Sequence, residues 1–421
     1  MKNPADVIVV GGGASGMMAA IRAAECGASV LLLEGGKRPG RKILMTGNGR
    51  CNYTNRRMKN DCFRSRETGA AMRVIGSFTE KDLIAWFAER GMITAEKDGY
   101  CYPRSHQASA VQALLEQEAK RVGVHIKTNC LVKAVSGSEA DGFSVRTEIG
   151  DVFGASRVIL AAGGMAAPVT GSNGSGYALA RGLGHSLLEP VPALVPLTAA
   201  EKFCRRWEHV RTRGRITLLI RDKKRAEAEG ELQLTSYGIS GIPVFQVSRY
   251  ASCELSAYEK AGNTAARLPI KALINFLPEW TKEQWSAETA AESRWAKITL
   301  GQIFSGLFPD RLAEVLLSLA NVQTGRMAGT LSEAERIKLW ETCTSLSLTI
   351  TGTRGFEAAQ VTAGGIPTRE VDLSTMESRF CPGLYLAGEI LDVDGICGGY
   401  NLQWAFSSGW LAGQCAGEAV R

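Results

Sequence analysis

Two short unbroken apolar runs, Val7–Val10 and Val30–Leu33, bracket a stretch rich in Ala and Met that ends at Gly27. Runs of four bounded by turn residues predict buried strands, and the segment between them predicts a helix. Within Ser77–Arg90, Phe78, Leu83, Trp86 and Phe87 recur at helical spacing, as do Val111, Leu114, Leu115 and Val122 within Ser109–Gly123. Both segments predict amphipathic helices whose apolar residues are core. Tyr100–Arg104 reads as a short extended piece, Val124–Val135 as one strand followed by another, and Phe143–Thr147 alternates as a strand does. Arg157–Gly164 is a buried strand closing in small residues, and Gly171–Gly176 opens a helix over Tyr177–Leu183. Pro190, Pro192 and Pro196 then mark a boundary.

Beyond that boundary the texture changes. Ile216–Ile220 and Glu231–Thr235 are strand-like, Ser240 lies in a turn, and Trp280–Leu319 predicts a helical stretch. In it Trp285, Trp295, Ile298, Leu300, Phe304 and Leu307 face inward. Alternation returns over Leu346–Gly365, Gly383–Glu389 is a further buried strand ending in an acid, and Tyr400–Gln403 opens a last helix, Trp404–Ala419. The pattern predicts an α/β fold. Residues 191–348 form an inserted β-plus-helix unit, so that 1–190 and 349–421 make one discontinuous domain.

The chemistry is densest at the start. Gly11, Gly13 and Gly16 stand at GxGxxG spacing directly after the first strand and open the first helix. Gly11 permits the tight turn, Gly13 lets backbone approach a pyrophosphate, and Gly16 lets helix and strand pack closely. Ala14 and Ser15 lie on the same turn, whose helix N-terminus offers N–H groups to phosphate. Glu34 ends the second strand, where an acid binds the ribose hydroxyls of an adenosine. Arg41 and Lys42 follow closely enough to reach back to a pyrophosphate, and Thr46–Asn52 (TGNGRCN) is a flexible turn dense in backbone donors. No second strand–GxGxxG–helix unit follows, so a nicotinamide donor, if used, binds transiently.

Charge and cysteine usage narrow the setting. The 421 residues carry a net charge of +7, which permits an anionic partner without requiring one. Basic residues concentrate twice: ten Lys or Arg against Asp61 over 37–66, and ten against Glu208 and Asp222 over 202–225. The second run tracks phosphates or is the solvated face of strands. The eleven cysteines include no CxxC pair, which argues for reduced thiols in a cytoplasm and against a disulfide framework or a zinc site. No apolar run reaches the ~18 residues that a membrane span needs, and no signal-peptide core precedes the first strand. Ser240 lacks the G-x-S-x-G setting of a nucleophile.

Four segments, GGGASGMMAAIRAAECG, GRKILMTGNGRCNYTN, TGTRGFEAAQVTAGG and YLAGEILDVDGICGGYNLQWAFSSG, together resemble the BaiN/RdsA family of FAD-dependent oxidoreductases, also called aminoacetone-oxidase-like flavoproteins. The resemblance runs end to end. It implies a glutathione-reductase-like FAD-binding Rossmann domain, split by an inserted β-barrel and helical substrate domain. It implies that Gly11, Gly13, Ala14, Ser15 and Gly16 hold the pyrophosphate, Glu34 the adenosine ribose, and that Arg41 and Lys42 lie near the phosphates. Val132 would pass the adenine, while Gly388, Glu389, Asn401 and Leu402 would surround the ribityl chain and flavin ring. Ala161–Gly164 departs from the Ala-Thr-Gly common in two-dinucleotide flavoproteins, since Ala162 carries no hydroxyl.

Two activities are implied, both reductions of an alkene conjugated to a carbonyl with NAD(P)H as donor. The first acts on 3-oxo-Δ4 or Δ4,6 bile-acid intermediates, the second on C5=C6 of a uridine in ribosomal RNA. The small-molecule enone is the first expectation and RNA the alternative. An oxidase using O₂ and a non-catalytic flavoprotein complete the readings. The Trp/Phe/Leu-rich insert lines a steroid pocket or is plain core. Cys51, Asn52, Tyr53, Arg104 and Tyr400 are the donor candidates, with no single catalytic residue assigned. Sequence gives neither the nicotinamide preference nor the oligomeric state.

Overall fold

Val7–Val10 and Val30–Leu33 are apolar throughout because both strands are buried on both faces. In the computed structural model, which describes residues 2–262 and 270–421, they belong to β1 (Lys2–Val10) and β2 (Val30–Leu33), joined by α1 (Ala14–Glu25). The sheet continues with β3 (His125–Lys127), β4 (Val132–Ser138), β5 (Gly142–Thr147) and β6 (Val152–Leu160). Its order is β3–β2–β1–β6–β5–β4, and the short strand Leu384–Leu386 adds parallel to β6. The β3–β2–β1–β6 part is parallel and β5 and β4 are antiparallel. Helices of the same unit include α2 (Arg41–Met45), α3 (Ser175–Gly182) and α4 (Tyr400–Glu418), and the two expected amphipathic helices are present at Glu80–Glu89 and Ala108–Arg121.

The chain divides into two compact units, Met1–Pro192 with Gln360–Arg421, and Ala193–Ala359. In the second unit β7 (Leu197–Ala199), β8 (Val210–Ile220), β9 (Lys223–Thr235), β10 (Gly238–Ser240), β11 (Ile270–Asn275) and β12 (Leu346–Thr353) close a barrel. Around it the strand order is β7–β10–β9–β8–β11–β12. A split at 348/349 falls inside β12, so the unit runs on past it. The fold class is thus the expected one: a discontinuous Rossmann-type α/β domain with an inserted barrel-and-helix unit.

Two local expectations need correction. Ser240 lies in β10, paired with Gln233, rather than in a turn. The stretch Trp280–Leu319 is three helices, Lys282–Glu288, Leu300–Leu307 and Asp310–Leu319. Its breaks are local chemistry: Thr299 starts a new helix through a capping box with Gln302, and Pro309 caps the third. Trp285, Leu300 and Phe304 are core, while Trp295, Ile298 and Leu307 are half-buried against it.

Packing of α4 on α1 uses backbone rather than side chains. A Cβ added at Gly409, Gly413 or Gly417 would stand 2.2, 2.3 or 2.9 Å from the carbonyl oxygens of Ser15, Ala19 and Ala23. Each glycine is four residues from the next, and so is each carbonyl, so one face of α4 runs parallel along one face of α1. That seam explains the Ala and Gly content of both helices.

Behind α3, a buried polar cluster ties His185 and Ser186 to the segment 370–381. Ser378 Oγ accepts from the N–H groups of Phe380 at 3.1 Å and Cys381 at 3.0 Å, so its own hydrogen points to His185 Nε2 at 2.8 Å. That leaves the hydrogen on Nδ1, which donates to Glu370 Oε2 at 3.2 Å. Glu370 also accepts from Ser186 N at 2.9 Å and from its hydroxyl. The sequence of groups imitates a Ser–His–acid relay, but Ser378 is buried and both its acceptor sites are filled, so the cluster is structural. Burial pushes the His185 imidazole below its ordinary value of 6.5. Burial also pushes the Glu370 carboxyl up, but the Ser186 and His185 hydrogen bonds outweigh it and hold the group below its usual range.

Two outcomes follow. Gly413→Ala forces Cβ against the Ala19 carbonyl and destabilises by about 1–3 kcal/mol, as overpacking does. Gly306→Ala, in a helix position with nothing within 4 Å, is neutral or stabilising. Thermal unfolding of both variants separates the seam from a general intolerance of added methyls. For pH, the unfolded chain takes up a proton near pH 6.5 that folded His185 resists, and Glu370 behaves in the same sense at lower pH. Stability is therefore intact above about pH 7 and falls as pH drops through 6.5, with a shallower fall for His185→Gln in Tm-versus-pH scans.

Candidate functional site

The loop after β1 leaves backbone donors open to approach. Gly11 has φ +101°, and its N–H is fixed to Leu33 O at 2.8 Å. A Cβ at Gly16 would lie 1.8 Å from Gly11 O, so the helix must start with glycine there. A Cβ at Gly13 would meet nothing within 4 Å, which leaves the approach to Gly13, Ala14 and Ser15 open. Gly13 caps α1 without a side-chain bond, so the first-turn N–H groups keep their donor capacity for an anion. Ser15 turns inward and meets the turn that carries Gly388, whose added Cβ would stand 2.4 Å from Ser15 Oγ.

Glu34 is prepositioned by backbone. Its Oε2 accepts from Gly12 N at 2.7 Å and its Oε1 from Gly36 N at 2.6 Å. Each oxygen keeps a lone pair for a further donor. Beside it opens a cavity of about 740 Å³ lined by Gly35, Gly36, Arg38, Arg41, Met45 and Asn129 among others. Asn129 and Cys130 donate N–H bonds to Gly36 O and Glu34 O, both at 2.8 Å, so this connection lies along the Glu34 segment. Val132 does not line the cavity: its side chain belongs to the core, and any contact with an adenine runs through its backbone.

Arg41 and Lys42, adjacent in sequence, do different things. Arg41 Nη2 donates to Val169 O at 2.6 Å, tying α2 to the segment after β6. Lys42 Nζ pairs with Glu389 Oε2 at 2.7 Å, and Glu389 Oε1 accepts from Thr362 N at 2.8 Å. Thr362 Oγ1 in turn accepts from Met165 N at 2.8 Å and Ala166 N at 3.1 Å. The hydroxyl absent at Ala162 is thus met, for the turn just beyond it, by a residue some 200 positions away. Sequence reasoning missed Thr362, and its only local trace is its place in TAGG.

The other end of the site is the start of α4. Gly399 caps it with φ +90° and no side-chain bond, so the N–H groups of Tyr400, Asn401 and Leu402 keep donor capacity. Asn401 anchors the approach: its Oδ1 accepts from Gly395 N at 2.7 Å and its Nδ2 donates to Gly395 O at 2.9 Å. Leu402 is half-buried and packs on the core. Asn52 joins the two specific segments. Its amide donates to Thr54 O at 2.8 Å and Cys101 O at 3.0 Å and accepts from Gly399 N at 3.3 Å. Asn55 Nδ2 donates to Gly398 O at 2.9 Å, and a Cβ at Gly399 would lie 2.5 Å from Thr54 O. Trp404 Nε1 donates to Gly388 O at 3.0 Å and Ser408 Oγ accepts from Gly388 N at 2.9 Å, so α4 also holds the Glu389 turn.

Of the proton-donor candidates, Cys51 and Tyr53 are fully buried. Burial pushes the Cys51 thiol up to about 12 and the Tyr53 phenol up to about 12, and the Tyr53 hydroxyl is taken by Thr94 Oγ1 at 2.5 Å. Asn52 is structural, as described. Arg104 is exposed at the end of the strand Tyr100–Pro103. Tyr400 stands edge-on to Phe63 and is raised by burial and by its hydrogen bond with Cys62. Tyr100 and Tyr102, half-buried neighbours of the same region, were not singled out by sequence; their i, i+2 spacing on a strand was the available signal. Among the described residues no group of three or more His, Cys, Asp or Glu is placed to hold a metal ion. No helix among them is long and apolar enough to cross a membrane.

The HI0933-like protein Rossmann domain model matches residues 5–415. A 3-dehydro-bile acid delta(4,6)-reductase of Clostridium scindens is 44% identical over 413 residues, covering 97% of this chain and 98% of that protein. A ribosomal RNA dihydrouridine synthase of Escherichia coli is 31% identical over 411 residues, covering 97% of each. Among solved structures, a 3-ketosteroid-delta4-(5alpha)-dehydrogenase of Rhodococcus jostii aligns with TM-score 0.50 and 16% identity, over 100% of this chain and 97% of its own. A flavocytochrome c3 fumarate reductase aligns with TM-score 0.50 and 14% identity, over 100% and 79%. At those identities the two structures speak for the fold.

Cys51 is expected to resist alkylation in the native protein at pH 8 and to react on unfolding, as peptide mass spectrometry reads. Rapid native labelling would show that its thiol is open to the site and restore it as a donor.

Proposed function

The chain belongs to the HI0933-like Rossmann family, and from that premise we propose that it is an FAD-dependent, NAD(P)H-driven reductase of carbon–carbon double bonds conjugated to a carbonyl, acting on a 3-oxo-Δ4 or Δ4,6 steroid acid. The observation that carries the reading is the 44% identity, over nearly the whole of both chains, to a protein named as a 3-dehydro-bile acid delta(4,6)-reductase. The site's geometry agrees with it at both ends of a dinucleotide. The first turn of α1 would hold the pyrophosphate, and Glu34 would hold the adenosine ribose with the lone pairs that Gly12 and Gly36 leave free. Lys42 and Glu389 form a charge pair beside the fingerprint loop, which orders both for phosphate and ribityl oxygens. The N–H groups that open α4 would offer donors to the electron-rich pyrimidine edge of a bound flavin.

Bound FAD, reduced by NAD(P)H, would supply the hydride that the β carbon of the enone accepts. The chain's own part is to orient and polarise. Donors near the α4 N-terminus stabilise charge developing on the carbonyl oxygen, and a side-chain acid returns a proton to the α carbon. Cys51 and Tyr53 are shielded from that task, and Tyr400 is buried with its hydroxyl on Cys62, which leaves the half-buried Tyr100 and Tyr102 as the groups to vary. Among the described residues no second glycine fingerprint follows a strand, in keeping with transient use of the nicotinamide donor.

The RNA alternative rested on the basic runs 37–66 and 202–225, and the surroundings of the second weaken that part of its footing. On the β8–β9 hairpin Arg211 faces Glu231 at 3.4 Å, and Arg213 and Arg215 share Glu229 at 2.8 and 3.0 Å. Arg221 meets Glu254 at 2.9 Å and Lys224 meets Glu227 at 3.0 Å. Exposed pairs of this kind add little stability, but each cancels field that a phosphate would otherwise feel.

The test is anaerobic. The flavoprotein is reduced with limiting NADH, then mixed with a 3-oxo-Δ4 steroid acid or with ribosomal RNA lacking the modification. Return of the oxidised flavin band with the steroid, and a product heavier by two hydrogens, are expected. Return with RNA alone, fading steeply with salt, would replace the steroid reading by the RNA one.

A further inference from the structure

The loop that follows β6 carries donors that the fingerprint turn does not account for. β1 continues through α1 to β2 on one side and has β6 on the other, so the winding reverses between β1 and β6. Ligands of open α/β sheets lie beyond the strand ends at such a point. Gly11 borders that crevice from one side: a Cβ on it would stand 2.6 Å from Ala161 O and 2.9 Å from Ala162 Cα. On the β6 side Gly163 has φ +74°, and the N–H groups of Gly163 and Gly164 make no hydrogen bond among the described residues. Ser172 stands at the same turn, since a Cβ at Gly163 would lie 3.2 Å from its Oγ. Ser172 is 9% exposed, and its hydroxyl likewise has no partner among the described residues. Ala162 offers no hydroxyl here, and the oxygen of Thr362 is filled by Met165 N and Ala166 N. The segment that delivers Ser172 is tied at both ends and in the middle. Thr362 holds Met165 and Ala166, Arg41 Nη2 holds Val169 O at 2.6 Å, and Gly174 N donates to Gly164 O at 3.0 Å. Burying an unbonded hydroxyl costs free energy, and these ties keep it in place.

We infer that Ser172, with the N–H groups of Gly163 and Gly164, is a binding subsite for the hydroxylated ribityl chain of the flavin dinucleotide. The inference rests on the reading of the chain as an FAD protein. It adds to that site a side chain that lies outside the fingerprint turn and more than 150 residues after it. The neighbours favour a polyol over a phosphate. A Cβ at Gly164 would stand 2.9 Å from Glu389 Oε1, so a carboxylate lies against the residue next to Gly163. A carboxylate oxygen accepts from a hydroxyl and repels a phosphate. Ser172 and the two N–H groups donate instead, to a hydroxyl oxygen. A polyol, whose every oxygen both donates and accepts, satisfies the two kinds of neighbour together. The pyrophosphate keeps the first turn of α1, where the donors belong to a helix end.

The experiment follows release of FAD from the holoenzyme on dilution, read as recovery of free-flavin fluorescence, for the native chain, S172A and S136A. The Tm of each flavin-free protein is measured beside it. S172A is expected to raise the FAD dissociation constant about three- to tenfold, the loss of one hydrogen bond. Its flavin-free Tm is expected not to fall, because the hydroxyl removed has no protein partner. S136A, at an exposed position of β4, releases FAD as the native chain does. ADP, which has the phosphates and no ribityl chain, is expected to compete equally for the native and S172A proteins. S172A holoenzyme that retains FAD like the native one overturns the subsite. A flavin-free Tm that falls together with the affinity also overturns it, since that marks a structural hydroxyl. A loss of ADP affinity equal to the loss for FAD overturns the polyol assignment. A native chain that takes up no flavin refutes the cofactor reading and the subsite with it, whereas native-like retention by S172A refutes the subsite alone, so the two failures are distinguishable.

Discussion

The structure of the first unit depends on the contact in which α4 lies against α1 with glycine on one side and backbone carbonyl on the other. Because Gly409, Gly413 and Gly417 match Ser15, Ala19 and Ala23 in ascending order, the helices are parallel and their dipoles point the same way. That alignment is unfavourable by itself, and close apolar packing offsets it. It also sets a spacing. Gly409 is level with Ser15, while the caps are Gly399 and Gly13, so α4 begins about eight residues ahead of α1, on the order of 12 Å at the helical rise. Two uncapped positive ends are thereby held at a fixed separation on one side of the unit. A ligand with a phosphate group at one position and an electron-rich ring at the next satisfies both.

Charge is distributed by the same economy of pairing. Lys42 is committed to Glu389, and the hairpin arginines to the glutamates opposite. Hydrogen bonds from Arg213 and Arg215 hold the Glu229 carboxyl below its usual range, so those positions present mixed rather than positive charge. Net charge taken over the chain therefore says less about partners than which cations are paired with an acid across the fold.

What could be read from the sequence was what repeats locally. The fingerprint turn, the burial of Val7–Val10 and Val30–Leu33, and the inserted unit are each written in contiguous residues, and all are present. What could not be read was pairing at a distance. The basic run 202–225 looked like a phosphate track because its counter-charges, Glu227, Glu229 and Glu231, follow on the returning strand and only a hairpin sets them opposite. Thr362 served the turn beyond Ala162 from nearly 200 residues away, and Asn52 became a joint between two loops rather than a donor to substrate. The seam was visible in principle as glycines spaced by four in the last helix, but spacing alone does not say what lies against them. Val132 was placed correctly on its strand, and only its side chain faces the core.

The joint between Asn52 and Gly399 also has a history in time. The turn at Thr46–Asn55 leaves the ribosome hundreds of residues before Gly388, Gly399 and the glycines of α4 exist. At usual synthesis rates that interval is roughly 20 to 70 s. Throughout it α1 has no backbone partner, and the barrel unit can fold in the meantime from contacts within Ala193–Ala359. The two segments of the first unit, Met1–Pro192 and Gln360–Arg421, then meet last. Completion of the α1–α4 seam is thus timed by the arrival of the final helix.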